Sequence, residues 1–512
     1  MRRGVRVAAI LIAAATALGA LTGCFPTDRP APDRTPVAVG VPPELTSYYA
    51  QDIDWQACAG GGEGSFYCAS VTAPVDYADP DAGDLDLALI VRVASGESMG
   101  SLLVNPGGPG ASGVDLVRGS ATFAVGGELL EHYDVVGFDP RGVGASTAVR
   151  CLDAPEMDEY LFSVPAAERG TAAWEAELTE RDRAFADACE AGSDGILPHI
   201  TTVNAARDMD LLRGVLGDRQ LHYLGYSYGA FLGATYAELF PERVGRMVLD
   251  GGIDPSVPGV EIGARQAVGF ESALRAYLAS CLSGGGEEPC PFDGPVETAL
   301  AQLGDALAAV DAAPLTATDG RALNADAMVM GIVSALYSER LWPALTTALT
   351  AVLEGDADPM FFLVDSYYNR ADGEYLDNST EAFSAYNCMD YPPDSAAEVD
   401  AAEALIDEQA PTFAPYWSGV DLCASWPYPP TGTRGEISAE GADPILLIGT
   451  TNDPATPYEW SAALAGQLSS GILLTRVGEG HLGFNKGDDC IDRAVEAYFI
   501  DGTTPPDDIR CE

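Results

Sequence analysis

Seven short apolar runs punctuate the chain, and most of them end in a glycine-rich turn. They are LDLALIVRVAS (85–95), GSLLVNPGG (100–108), YDVVGFDPRG (133–142), QLHYLGYS (220–227), RVGRMVLDGG (243–252), PILLIGTTND (444–453) and GILLTRVGEG (471–480). They are apolar nearly throughout instead of alternating, which predicts strands buried on both faces. Between several of them apolar positions recur every three to four residues, as in 204–217 and 229–240. That spacing predicts helices, and strands alternating with helices predict an α/β fold with a mostly parallel sheet.

The alternation stops between about 256 and 435. Here 263–282, 295–313, 324–355 and 395–409 carry mainly helical periodicity, and the strand pattern returns only at Pro444. A helical block interrupting a sheet domain predicts a cap over the sheet's C-terminal edge. The expected organisation is core at 44–255, helical cap at 256–435 and core again at 436–512.

The N-terminus follows a different pattern. Arg2, Arg3 and Arg6 precede an apolar run from Val7 to Leu18, too short to span a bilayer comfortably, and then Leu21-Thr22-Gly23-Cys24. The four residues resemble a bacterial lipobox. The expectation is a signal peptide over 1–23, cleavage before Cys24, lipidation of its sulfur, and a proline-rich tether over 24–43. The protein would then sit on the outer face of the cell membrane, held by lipid and not by a spanning helix.

Composition sharpens this picture at two points. The 512 residues carry a formal charge of −50, and Lys486 is the only lysine. So acidic a surface repels phosphate backbones, which argues against nucleic-acid binding. Of the eleven cysteines, ten remain once Cys24 is set aside, an even number suited to an oxidising compartment. Pairing neighbours along the chain gives Cys58–Cys68, Cys151–Cys189, Cys281–Cys290, Cys388–Cys423 and Cys490–Cys511. With no C-x-x-C pair and only four histidines, a structural metal is not expected, and no cofactor is called for.

The candidate chemistry begins at LHYLGYSYGAFLG (221–233). A strand, then Gly225-Tyr226-Ser227-Tyr228-Gly229, then a helix is the pattern of a nucleophile elbow, in which a sharp turn lifts a serine above the sheet. A serine hydroxyl needs a base to take its proton. In this architecture the acid and then the histidine follow the serine, and His481, in VGEGHLGF, is the only histidine after Ser227. Asp453, at the end of the preceding strand, is the expected orienting acid, with Asp250 of VLDGG as the rival. Thr456 either hydrogen-bonds that carboxylate or caps a helix beginning at Pro457. The oxyanion of an acyl-transfer intermediate needs two donors. The amide of Tyr228 is one, and NPGGPGASG (105–113) offers the other, with Gly108 preferred and Gly107 next.

Taken together, GSLLVNPGGPGASG, YDVVGFDPRGVGAS, GYSYGAFLGATYAELFPERVGRMVLDG, NDPATP and GEGHLGF resemble the secreted tripeptidyl aminopeptidases and prolyl-aminopeptidase-like α/β-hydrolases of high-GC Gram-positive bacteria, near their cell-envelope carboxylesterase/serine protease members. The resemblance implies an α/β-hydrolase fold with a cap that shapes the site, and a peptide or ester substrate. The prolyl branch usually has histidine where this chain has Pro106, which fits the tripeptidyl branch better. An aminopeptidase must hold a free ammonium group, and Asp390 and Glu271 in the predicted cap are candidate partners. An esterase with the same triad is the alternative.

Overall fold

The computed structural model describes residues 29–512 apart from 59–65, 285–287, 418 and 433. The segment expected to be a signal peptide, and Cys24, lie outside the described residues.

The centre is a ten-stranded sheet. Its strands are β1 (Gln56–Ala57), β2 (Phe66–Pro74), β3 (Asp84–Arg92), β4 (Ser101–Asn105), β5 (Asp134–Phe138), β6 (Leu221–Tyr226), β7 (Val244–Asp250), β8 (Ile445–Asn452), β9 (Gly471–Glu479) and β10 (Ile509–Cys511). They lie in the order β1-β2-β3-β5-β4-β6-β7-β8-β9-β10. The pairs β1/β2, β2/β3 and β3/β5 are antiparallel, and from β5 to β10 every pair is parallel. The fold is that of an α/β-hydrolase with a mostly parallel sheet.

Successive side chains of a strand point to opposite faces, so each central strand feeds two cores. Leu103 packs with Leu211, Tyr223, Leu232, Met247 and Leu249 on one face. Leu102 and Val104 pack with Val117, Leu224, Val248, Ile491 and Val495 on the other. All five residues of β4 and all five of β5 are buried. This explains why these strands read as unbroken apolar runs. The strands that such a pattern misses are β1, β2 and β10 at the margins, where β2 buries little beyond Val71, Ala73 and Pro74.

The loop after β5 is held by Arg141, whose guanidinium is fully buried and pairs with Asp208 at 2.7 Å through both Nε and Nη2. It also donates to the carbonyls of Pro74 and Val75. This fork geometry accounts for the charged residues of the FDPRG stretch as internal ties.

Between β7 and β8 the chain is mainly helical. Helices run over Gly259–Leu282, Val296–Ala312, Ala325–Leu336, Trp342–Glu354, Asp358–Tyr367, Ser379–Asp390 and Ala396–Gln409, with two small hairpins among them. Most of them close around their own core, which includes Phe270, Leu274, Leu303, Leu307, Ile332, Leu349 and Met360. The periodic stretch 324–355 is two helices, not one. Pro343 stands in the first turn of the second helix, where its missing N–H leaves no bond unmade. The helix Ser379–Asp390 departs from the rest: its Ala382, Ala385, Tyr386 and Met389 belong to the core of the sheet domain.

Five disulfides join Cys58 to Cys68, Cys151 to Cys189, Cys281 to Cys290, Cys388 to Cys423 and Cys490 to Cys511. Among the described residues no helix is long and apolar enough to cross a membrane.

Candidate active site

β6 ends at Tyr226 and a helix begins at Tyr228, leaving a single residue, Ser227, to make the turn. Ser227 has φ 56° and ψ −122°, a conformation that side chains beyond glycine rarely adopt. The flanking glycines are required by close approach. A Cβ on Gly225 would stand 2.2 Å from the Gly229 carbonyl oxygen, and one on Gly229 would stand 2.8 Å from Asn105. The turn is tied to β7 by the Ser227 amide donating to the Asp250 carbonyl at 2.8 Å.

The loop after β4 lies directly against this turn. A Cβ on Gly107 would come within 3.0 Å of the Ser227 Cβ and 3.1 Å of the Tyr228 nitrogen. Gly107 donates its own N–H to Asn105 Oδ1 at 2.9 Å, so that donor is spent within the loop. The N–H groups of Gly108 and Tyr228 have no acceptor among the described residues. The two loop glycines therefore differ: Gly107 lies against the serine but has its N–H spent within the loop, and Gly108, the next residue, keeps its N–H free of any acceptor among the described residues.

His481 follows β9. Its Nδ1 is 2.9 Å from both carboxylate oxygens of Asp453, whose side chain is fully buried. That carboxylate is held from three further sides. The amides of Ala455 and Thr456 donate to Oδ1, the amide of Leu482 donates to Oδ2, and so does the Thr456 hydroxyl at 3.1 Å. Thr456 thus touches the carboxylate directly. Asp250, the rival acid, is also fully buried but does different work: it accepts from the amides of Gly483 and Phe484 and braces the loop that carries His481. Burial pushes its carboxyl up to about 6, against the pull of those amides. Next to it, a Cβ on Gly251 would stand 3.3 Å from His481 Cε1. The Ser227 amide thus bonds Asp250, and the His481 ring lies near Gly251, the next residue.

The insertion reaches this histidine. The His481 amide donates to the Tyr337 carbonyl at 2.9 Å, and the Tyr337 ring meets the imidazole edge-on at 5.4 Å between centroids. Nothing in the local pattern around Tyr337 marks it, because its partner is 144 residues away in the chain.

The two acids put forward as ammonium partners require correction. Asp390 is buried, and its oxygens accept from the amide and hydroxyl of Thr202, tying the end of the helix Ser379–Asp390 to the start of Thr202–Val215. Glu271 is buried as well and accepts from the amide and hydroxyl of Thr412, with Arg275 at 3.5 Å. Buried polar groups hold a fold together when their bonds are satisfied internally. Both carboxylates thus serve as internal ties within the fold.

Comparison with known proteins gives a consistent family. A model of the α/β hydrolase fold matches residues 100–285, and a model described as TAP-like protein matches residues 410–511. The chain is 37% identical over 484 residues to serine protease Hip1 of Mycobacterium tuberculosis, covering 90% of this chain and 91% of that protein. It is likewise 37% identical over 498 residues to carboxylesterase B of the same organism, covering 95% and 93%. It is 30% identical over 483 residues to the tripeptidyl aminopeptidase of Streptomyces lividans, covering 90% and 86%.

Proposed function

Because the chain belongs to this TAP-like family of α/β-hydrolases and is a serine hydrolase, we propose that it is a peptidase releasing short peptides from the N-terminus of its substrates through an acyl-enzyme on Ser227. The observation that carries this reading is the buried Asp453 bonded to His481, together with a strained Ser227 at a strand–helix turn against which the glycine loop after β4 packs. In the proposed reaction Ser227 Oγ attacks the scissile carbonyl carbon while His481 takes its proton. Asp453 orients the imidazole and stabilises the cation that forms. The oxygen of the tetrahedral intermediate lies between the amides of Gly108 and Tyr228. As the intermediate collapses, His481 returns the proton to the departing amine. Water then attacks the acyl-enzyme by the same route and releases the peptide acid. The helical insertion acts as a cap, a role supported by the seat of Tyr337 on His481.

The specific observation favouring an ester substrate is the relative named carboxylesterase B, as similar as the named serine protease. The two readings differ in the leaving group. A peptidase hydrolyses a free peptide amide and discriminates it from its N-acetylated twin. An esterase prefers short-chain esters and treats the twins alike. Measuring kcat/KM on all three decides the matter, and a ratio near one between the twins, with esters the better substrates, overturns the peptidase reading.

We further infer a lipid anchor at Cys24, supported by the Leu-Thr-Gly-Cys sequence. Cys24→Ser should release the protein from the membrane fraction or leave its precursor uncut. Unchanged processing and retention would refute the anchor.

A further inference from the structure

Over its described part, the segment expected to be a tether is seated on the sheet domain. It runs along one edge of the sheet and follows the order of the strands. Arg29 donates to the Gly96 carbonyl, beyond the end of β3, and its own carbonyl accepts from the Tyr67 hydroxyl at 2.6 Å. Arg34 reaches the first residues of the next two strands: it pairs with Asp134 of β5 and donates to Ser101 Oγ of β4 at 2.9 Å. It also pairs with Asp218, just before β6, at 3.1 Å. The Val37 amide donates to the Gly214 carbonyl at 2.8 Å. Arg243, which precedes β7, donates to the Gly40 carbonyl at 3.0 Å.

The seat is close as well as bonded. A Cβ on Gly217 would stand 2.8 Å from the Thr35 carbonyl oxygen, and one on Gly214 would stand 3.0 Å from that of Val37. The Arg34 side chain is 22% exposed and that of Asp134 only 5%. A guanidinium shared between two carboxylates and partly withdrawn from water holds more firmly than a pair on an open surface.

All of these contacts lie where β4, β5, β6 and β7 begin. The strands are parallel, so their other ends also lie together, and the turn at Ser227 is built on three of them. Asn105 closes β4 and lies against Gly229, Tyr226 closes β6, and Asp250 closes β7 and accepts from the Ser227 amide. The six residues of β6 span about 20 Å. The seated segment and the candidate active site thus occupy opposite edges of one sheet. Only Phe25 to Asp28 separate Cys24 from Arg29, and five residue steps reach about 18 Å at most. A lipid on Cys24 is therefore leashed to the edge where the strands begin.

We propose that residues 29–43 form a strap that holds this edge of the sheet against the membrane surface, so that the candidate active site faces away from the bilayer and takes soluble substrates. The proposal rests on the lipid anchor inferred above and adds the orientation that the anchor imposes. In this orientation Val39 on the strap and Met99 just before β4, both exposed apolar side chains, face the lipid. Substrates in solution reach Ser227 freely, whereas acyl chains within the same bilayer do not.

The test uses the full lipidated protein on phosphatidylglycerol vesicles that carry an acceptor dye on a lipid headgroup. A fluorescent amino acid replaces Val39 on the strap, or Phe362, which is exposed on the insertion. The insertion meets the sheet domain at the strand-end loops of Gly110 and His481, so position 362 stands for the far edge. Energy transfer should be at least twofold greater from 39 than from 362. Inserting ten glycine and serine residues between Thr27 and Asp28 should bring the two signals together. On a soluble short-chain ester, kcat/KM should agree within twofold between detergent and vesicles. Equal or reversed transfer in the parent protein overturns the orientation while leaving the anchor standing. A difference that survives the insertion overturns the strap, because the short leash is then not what orients the domain. A larger loss of kcat/KM on vesicles puts the site against the bilayer and overturns the proposal too. Protein that fails to join the vesicles removes the anchor, and the proposal with it.

Discussion

Replacing Ser227 or His481 with alanine is expected to lower kcat by about 10⁶, on peptide and ester alike, and replacing both should lower it little further. The serine oxygen is a weak nucleophile unless its proton leaves as the new bond forms, so the two residues contribute one event and not two. Ser227 occupies a backbone conformation that only a surrounding structure can impose, through the Gly225–Gly229 and Gly229–Asn105 approaches and the bond to the Asp250 carbonyl. Alanine at 227 keeps that turn, so the variant should remain folded and bind substrate. Residual activity should persist above the uncatalysed rate, because the amides of Gly108 and Tyr228 are untouched. The measurement is kcat for the two single variants and the double variant, with a fluorophosphonate probe reporting the loss of the reactive hydroxyl. Losses that multiply in the double variant would show that the two residues do not share a step.

Asp453→Asn should lower kcat by about 10⁴ with little change in KM. Asparagine is nearly the same size, but its amide can present an N–H to Nδ1, which favours the wrong tautomer of His481 and gives no charge to balance the imidazolium. The amides of Ala455, Thr456 and Leu482 now donate to the carboxylate, and an NH₂ in place of one oxygen sets donor against donor. The comparison with Asp250→Asn is the informative one. Asp250 makes no hydrogen bond to the imidazole among the described residues; its oxygens hold the amides of Gly483 and Phe484. Its loss should appear chiefly as reduced stability, on the order of 1–3 kcal/mol for a buried acceptor removed from its donors, with a smaller fall in kcat. Urea unfolding and kcat measured side by side separate the two. A larger fall in kcat for Asp250→Asn than for Asp453→Asn would reverse the assignment of the acid.

The strands next to the centre of the sheet were legible because burial on both faces leaves an unbroken apolar signature, as in β4 and β5. β2 was not, because most of it is only partly covered and its residues mix small and polar types. The helices Asp358–Tyr367 and Ser379–Asp390 also escaped notice. The second of these matters most, since it packs into the sheet's core instead of the insertion's own and lies against the glycine loop after β4.

What the sequence determined by itself is whatever depends on neighbours along the chain. Gly225, Ser227 and Gly229 specify a turn whose strain and clearances are local. The order Ser227, then an acid, then His481 is read directly along the chain and matches the α/β-hydrolase pattern. The tertiary structure alone decided which candidates meet. Asp453 rather than Asp250 reaches the imidazole, Gly108 rather than Gly107 keeps a free amide, and Asp390 and Glu271 are engaged by Thr202 and Thr412. The physical reason is common to all three. A carboxylate's availability is set by the donors that folding brings to it from distant segments, and hydrophobic periodicity carries no record of those donors.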